Sequence, residues 1–198
     1  MTRFDRAQLI AFIRAVDRNL ASKVSIVIVG GAAACVGHDS DVMTADIDVF
    51  ELRSGSAAVL ARAADVARAQ TGLAVSVGAA AVAELPENYE SRLKPVRGLK
   101  LRKLTVMVPD KYDLALSKTL RGYPHDIDAI EGIDRRHRLS VKTLVGRFEA
   151  EPMNTAVADR RKIALNVAMV VARLRGFAAG RRLAEKWNVP VPRAASRS

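Results

Sequence analysis

Cysteine is nearly absent: Cys35 stands alone among 198 residues, so no intramolecular disulfide can form. Its Ala-rich apolar surroundings predict a small packed side chain. Aromatic residues make up only 5%, and no apolar run approaches the roughly 20 residues that a membrane-spanning helix needs. No uninterrupted apolar stretch follows Met1 to Arg6 either, so no secretory leader is expected and the predicted location is cytoplasmic, with no membrane partner. The three histidines, His38, His125 and His137, lie far apart and have no cysteine partners, which argues against a zinc site. There is no Gly-Lys-Ser/Thr phosphate loop and no Gly-x-Ser-x-Gly elbow.

Acidic residues are also scarce beside basic ones, 21 against 32, which leaves a net charge of +11. Such an excess favours a polyanionic partner such as RNA or DNA; a solvated Arg-rich surface is the alternative. The excess is concentrated at 171–198, where Arg173, Arg175, Arg181, Arg182, Lys186, Arg193 and Arg197 face one acid, Glu185. The first five of these are the expected RNA-binding residues. A hydrophobic content of 49% and a charged content of 27% fit an ordinary globular chain. The length suits one domain with a small appendage. The expected division is a core at 1–137, a helical subdomain at 138–188 and a flexible tail at 189–198.

Helical spacing of Phe4, Leu9, Ile10, Ile13, Val16 and Leu20 predicts a first amphipathic helix over Arg3 to Leu20. The β-branched run Val24 to Val29 predicts a buried strand that stops at Gly30-Gly31, with a short helix over Ala32 to Gly37. Alternation in Thr44 to Phe50 predicts a second strand. Ser54 to Gln70 reads as a crossover helix capped by Gly72, and Leu73 to Val77 as a third strand that completes a strand-helix-strand unit. Two apolar runs around Gly98 predict a hairpin ending at Pro109. Helices are then expected from Asp110 to Leu120, from Pro124 to Arg136, and over Thr155 to Phe177, with breaks near Pro152 and at 176–180. Trp187 is expected to dock the last helix, and Pro190 and Pro192 mark a frayed end.

The chemistry is carried by strand, Gly30-Gly31, short helix, polar loop, and then Asp46-Ile47-Asp48 on a strand. Alternation along a strand sends Asp46 and Asp48 to the same face. Two converging carboxylates call for a cation between them, and Mg²⁺ commonly takes one or two carboxylates plus substrate phosphates. The glycine pair lets backbone amides approach a triphosphate, and the helix start behind it adds a positive dipole. Together these parts suit phosphoryl or nucleotidyl transfer.

Gly30-Gly31-Ala32-Ala33 followed by Thr44-Ala45-Asp46-Ile47-Asp48-Val49 resembles the signature of the nucleotidyltransferase superfamily, in the branch of AbiEii/AbiGii-toxin-like minimal nucleotidyltransferases. Asp113 to Lys118, then Arg121-Gly122 and Asp126 to Ile130, are similar to a block downstream of the core in that branch, and Glu84 to Arg92 to its connecting segment. The resemblance spans roughly Val24 to Ile130. It implies an α/β (α+β) fold with a polymerase-β-type core, a small mixed sheet flanked by helices, and a C-terminal helical subdomain. It also implies that Asp46 and Asp48 bind Mg²⁺ (or Mn²⁺) and that Gly30 and Gly31, with Thr44 beside them, receive a nucleoside triphosphate. Lys118 contacts the triphosphate by the same resemblance, Arg121 and Arg92 are further phosphate contacts, and Asp126 or Asp128 orients an acceptor or completes the acidic set. Many members carry a third carboxylate on a later strand, where this chain reads Val75-Ser76-Val77; Glu84, Asp126 and Asp128 are the candidates to replace it.

With the basic C-terminal segment, the expected function is transfer of a nucleotide to an RNA, tRNA above all; the resemblance alone implies that the chain is the toxin of a bacterial toxin-antitoxin pair with a cognate antitoxin as partner. Transfer to a small molecule or protein hydroxyl is the second expectation, and an inactive RNA- or partner-binding module on the same fold is the third.

Overall fold

The computed structural model describes residues 2–81, 83–151, 153 and 159–191. The expectations placed on Pro152, on Thr155 as a helix start, and on Pro192, Arg193, Arg197 and the end of the tail lie outside these residues.

Helix α1 (Arg6–Asn19) begins where Asp5 accepts from the Gln8 amide while the Gln8 side chain accepts from the Asp5 amide, a reciprocal cap. Its apolar stripe of Leu9, Phe12, Ile13 and Val16 is buried. Each such side chain contributes on the order of 1.5–3 kcal/mol by leaving water. Strand β1 (Val24–Val29) occupies the centre of a five-stranded sheet of order β3-β2-β1-β5-β4. The others are β2 (Asp46–Ser54), β3 (Ser76–Ala79), β4 (Lys94–Pro95) and β5 (Leu104–Val108).

β1 runs antiparallel to β2 and parallel to β5, while β4 and β5 form the hairpin expected around Gly98. β2 and β3 are parallel and joined by α3 (Ala57–Thr71), which ends at Gly72 in the left-handed region. The sheet is therefore mixed, with helices packed about it, the α/β class implied by the motif. The third strand starts three residues later than its apolar run because Leu73 and Val75 turn into the core before the ladder begins at Ser76.

Asp110 caps α4 (Lys111–Thr119) by accepting from the amides of Tyr112 and Asp113, and Pro124 opens α5 (Pro124–His137). Helices α6 (Val141–Ala150), α7 (Arg160–Arg175) and α8 (Phe177–Lys186) follow. One hydrophobic cluster runs from Phe4 in the first segment through α4 and α5 to Val171, Ala184 and Val189, so the C-terminal helices share the core. Trp187 packs edge-on against Phe148 and donates to Glu149, which docks the end of α8.

Buried charges fasten this junction. Asp113, with no exposed side-chain surface, accepts from Arg92 at 2.8 and 3.0 Å and from Arg147 at 2.8 Å. Arg147 also grips Asp110, and Arg92 also holds Glu151. Arg92, expected at the phosphates, thus ties the β4 approach to α4 and to the end of α6. Arg175 is similarly committed, to Asp134 and to the Leu139 carbonyl.

Candidate active site

β1 ends at Val29 and the chain turns at Gly30 with φ +68°. A Cβ at Gly30 would lie 2.5 Å from Asp48 Oδ2, and one at Gly31 would lie 2.7 Å from Thr44 Oγ1. Both contacts are shorter than a carbon can make, so glycine is what lets this backbone pass beneath the carboxylates. The helix that follows is short: α2 (Gly30–Ala32) continues as a π-helical turn over Ala33–Gly37. Positioned amides, rather than a long helix dipole, are what it offers a phosphate.

On β2, Ile47 is buried, and Asp46 and Asp48 on either side of it both line a cavity of about 390 Å³. Thr44 Oγ1 donates to Asp46 Oδ1 at 2.7 Å. Thr44 is therefore placed behind the carboxylate, where it orients Asp46. Asp48 has a raised pKa: burial is the main cause and the Asp46 charge adds to it, while Arg121 and Lys118 oppose it. A carboxylate held against desolvation and a like charge gains from any cation that joins it.

The opposite wall comes from α4 and the turn to α5, which contribute Ser117, Lys118, Arg121 and Tyr123. Lys118 is 5% exposed, and burial lowers its pKa against the pull of Asp126. Asp126 has no exposed side-chain surface; it takes Arg121 Nε at 3.1 Å and Nη2 at 2.6 Å, with Lys118 Nζ at 3.5 Å. These bonds occupy Asp126 in positioning two cations at the cavity. Asp128, by contrast, lies exposed on α5 away from the cavity wall. In the β3 register Ser76 stands opposite Asp46 and Gly78 opposite Asp48, so neither β3 position paired with the two acids carries a third carboxylate. Among the described residues no group of three or more acidic, histidine or cysteine side chains could hold a metal ion.

An acidic pair on one wall, and buried Lys118 with half-buried Arg121 on the other, form a cleft that suits a metal-bound polyphosphate. A scan against family models matches residues 7–172 to a family described as a nucleotidyltransferase of unknown function, DUF6036. The chain belongs to this family. No curated protein and no solved structure is significantly similar to it. The family match runs from α1 into α7, so it takes in α6 and most of α7, which the motif resemblance left uncovered. Among the described residues no helix is long and apolar enough to cross a membrane.

Ser117 and Tyr123 were not anticipated at the site. Tyr123 is 57% exposed, and an exposed aromatic immediately before the Pro124 helix start was the available signal. The expected RNA-binding side chains are largely engaged within the chain: Arg173 with Glu131, Arg175 with Asp134, Arg181 with Glu185 and Lys186 with Glu149. Among the described residues Arg182 makes no ion pair.

Proposed function

We propose that this nucleotidyltransferase uses a divalent cation, Mg²⁺ or Mn²⁺, to move a nucleotide from a nucleoside triphosphate to an RNA acceptor, with tRNA the expected class. The observation that carries the reading is the cavity that Gly30, Asp46 and Asp48 share with Lys118 and Arg121. Two carboxylates fit Mg²⁺, which fills its remaining positions with water and phosphate oxygens. When bound it would draw charge from the phosphates and align the α-phosphorus. Asp46, steadied by Thr44, and Asp48 would hold it. Gly30 and Gly31 let the main chain approach the phosphates, and Lys118 and Arg121 neutralise the leaving pyrophosphate. In the transfer, the acceptor oxygen bonds to the α-phosphorus as the bond to pyrophosphate breaks.

Membership of the AbiEii/AbiGii-like branch, and with it the role of toxin held in check by an antitoxin, is part of the proposal and rests on the blocks at Asp113 to Lys118, Arg121 and Asp126 to Ile130. Incubation with labelled nucleoside triphosphates, Mg²⁺ and total tRNA tests the reading. Label transfer that is lost in Asp46→Ala/Asp48→Ala supports it, and equal transfer by that variant counts against it. Gly78 opposite Asp48 favours a second reading, a module that binds the metal-nucleotide without transferring it. Binding without turnover on any acceptor, including small-molecule and protein hydroxyls, would select that second reading.

A further inference from the structure

Most of the expected C-terminal cations are paired with acids, but a second basic group, beside the starts of β1 and β5, is not. Arg14 and Arg18 on α1, Lys23 before β1, and Arg97, Lys100, Arg102 and Lys103 in the segment between β4 and β5 are all exposed. Among the described residues none of these seven makes an ion pair within 4 Å, whereas four of the five expected RNA-binding residues do.

Chain geometry draws the seven together. Arg14 reaches the Gly98 and Leu99 carbonyls, Val24 donates to the Lys103 carbonyl, and Lys103 Nζ donates to the Leu20 carbonyl. In the stretches 14–23 and 94–103 Asp17 is the one acid. It is buried, and its carboxylate accepts hydrogen bonds from the amides of Arg102, Lys103 and Leu104. Burial works against that charge, yet the amides hold the Asp17 pKa below its ordinary value. Asp17 therefore fixes the segment in place, and its single charge, already bonded to three amides, leaves the surrounding cations in excess. Arg14, Arg18, Lys100, Arg102 and Lys103, together with Asp17 and Leu101, line an open groove of about 480 Å³, so five cations face one acid there.

We propose that this surface binds the sugar-phosphate backbone of a double-stranded nucleic acid, at a site separate from the nucleotide cavity. Exposed cations spread over two elements suit a run of phosphates, and recognition of this kind is indifferent to sequence. No large exposed apolar side chain lies in either stretch, which disfavours a protein partner, and no exposed aromatic is there to stack unpaired bases. β1 separates the groove from Gly30 by its six residues, about 20 Å. A duplex held at the groove is thus anchored at a distance from the reacting phosphates, on a surface distinct from the cavity.

Anisotropy of a labelled RNA hairpin and of a DNA duplex of equal length, titrated with the full chain over a salt series, tests the proposal. The variant Arg18→Gln/Lys100→Gln/Arg102→Gln removes three charges whose side chains make no hydrogen bond among the described residues. Its expected result is a log-log salt slope shallower by about 2.7, at roughly 0.9 per phosphate contact, and a loss of affinity on the order of 10²-fold near 0.1 M salt. Arg18→Glu/Lys100→Glu/Arg102→Glu should lose at least as much, and circular dichroism should find both variants folded. Binding of either duplex through the groove supports the proposal, and the tighter one identifies the source. Unchanged affinity in the folded variants overturns it. So does an equal loss in Arg173→Gln/Arg181→Gln/Arg182→Gln, or competition by inorganic phosphate at the duplex's own phosphate concentration. Asp46→Asn/Asp48→Asn should bind the hairpin as the wild type does; a wild-type chain that binds through the groove yet transfers no label would refute the proposed function and leave this surface standing.

Discussion

Alanine at position 30 carries two costs that can be measured apart. With φ at +68° it places an L side chain in the left-handed region, at about 1–2 kcal/mol. For a chain of this size each kcal/mol lowers Tm by about 2–4 °C. Its Cβ would also sit 2.5 Å from Asp48 Oδ2, so the carboxylate must retreat by about 1 Å to reach an ordinary contact. Metal-ligand distances tolerate about 0.2 Å, and a misplacement near 1 Å costs about 10²-fold in rate. Gly72→Ala is the matched control: its φ is +69° and nothing lies within 4 Å of the added carbon. Both variants should lose similar thermal stability by calorimetry, but only Gly30→Ala should lose metal-dependent nucleotide binding and transfer. Wild-type binding and turnover in Gly30→Ala, or an equal functional loss in Gly72→Ala, would refute the reasoning.

Lys118 has a pKa lowered by burial, so between that value and the ordinary 10.5 the unfolded chain holds more protons and stability rises with pH. Lys118→Met should flatten that rise and hold or raise Tm at pH 7 while transfer falls by about 10²-fold; a Tm loss with full activity would contradict it. Burial likewise lowers the pKa of His38, whose ring contacts the Pro109 carbonyl at 2.9 Å. Its contribution to stability is present above pH 6.5 and lost as pH falls toward the lowered value, so urea midpoints at pH 5.5 and 7.5 should differ less in His38→Gln than in the wild type. Arg147→Ala takes from Asp110 its ion-pair partner and leaves the fully buried Asp113 with Arg92 alone, and should cost about 3 kcal/mol by urea denaturation.

Local pattern made β1, the Asp110 and Pro124 helix starts, the Gly98 hairpin and the strand carrying Asp46 and Asp48 legible, because each depends on neighbours a few residues away. The third strand was displaced for a physical reason: Val75 belongs to the core, and an apolar run records burial rather than ladder pairing. Charges were least legible. Nothing local distinguishes Arg92, which holds Asp113 across 21 positions, from Lys100, which faces solvent. Long-range ion pairs are assigned by the fold, so the basic C-terminal run read as a binding surface although most of its described members have acidic partners. Asp126 was singled out from the sequence, but its pairing with Arg121 and Lys118 required the α4–α5 turn to be built.

Calorimetric titration of the purified chain with each nucleoside triphosphate, with and without Mg²⁺, tests the shared cavity most directly. The geometry predicts binding that requires the metal and weakens at least tenfold in Asp46→Asn/Asp48→Asn. Binding indifferent to Mg²⁺, or equal in the wild type and that variant, would contradict it.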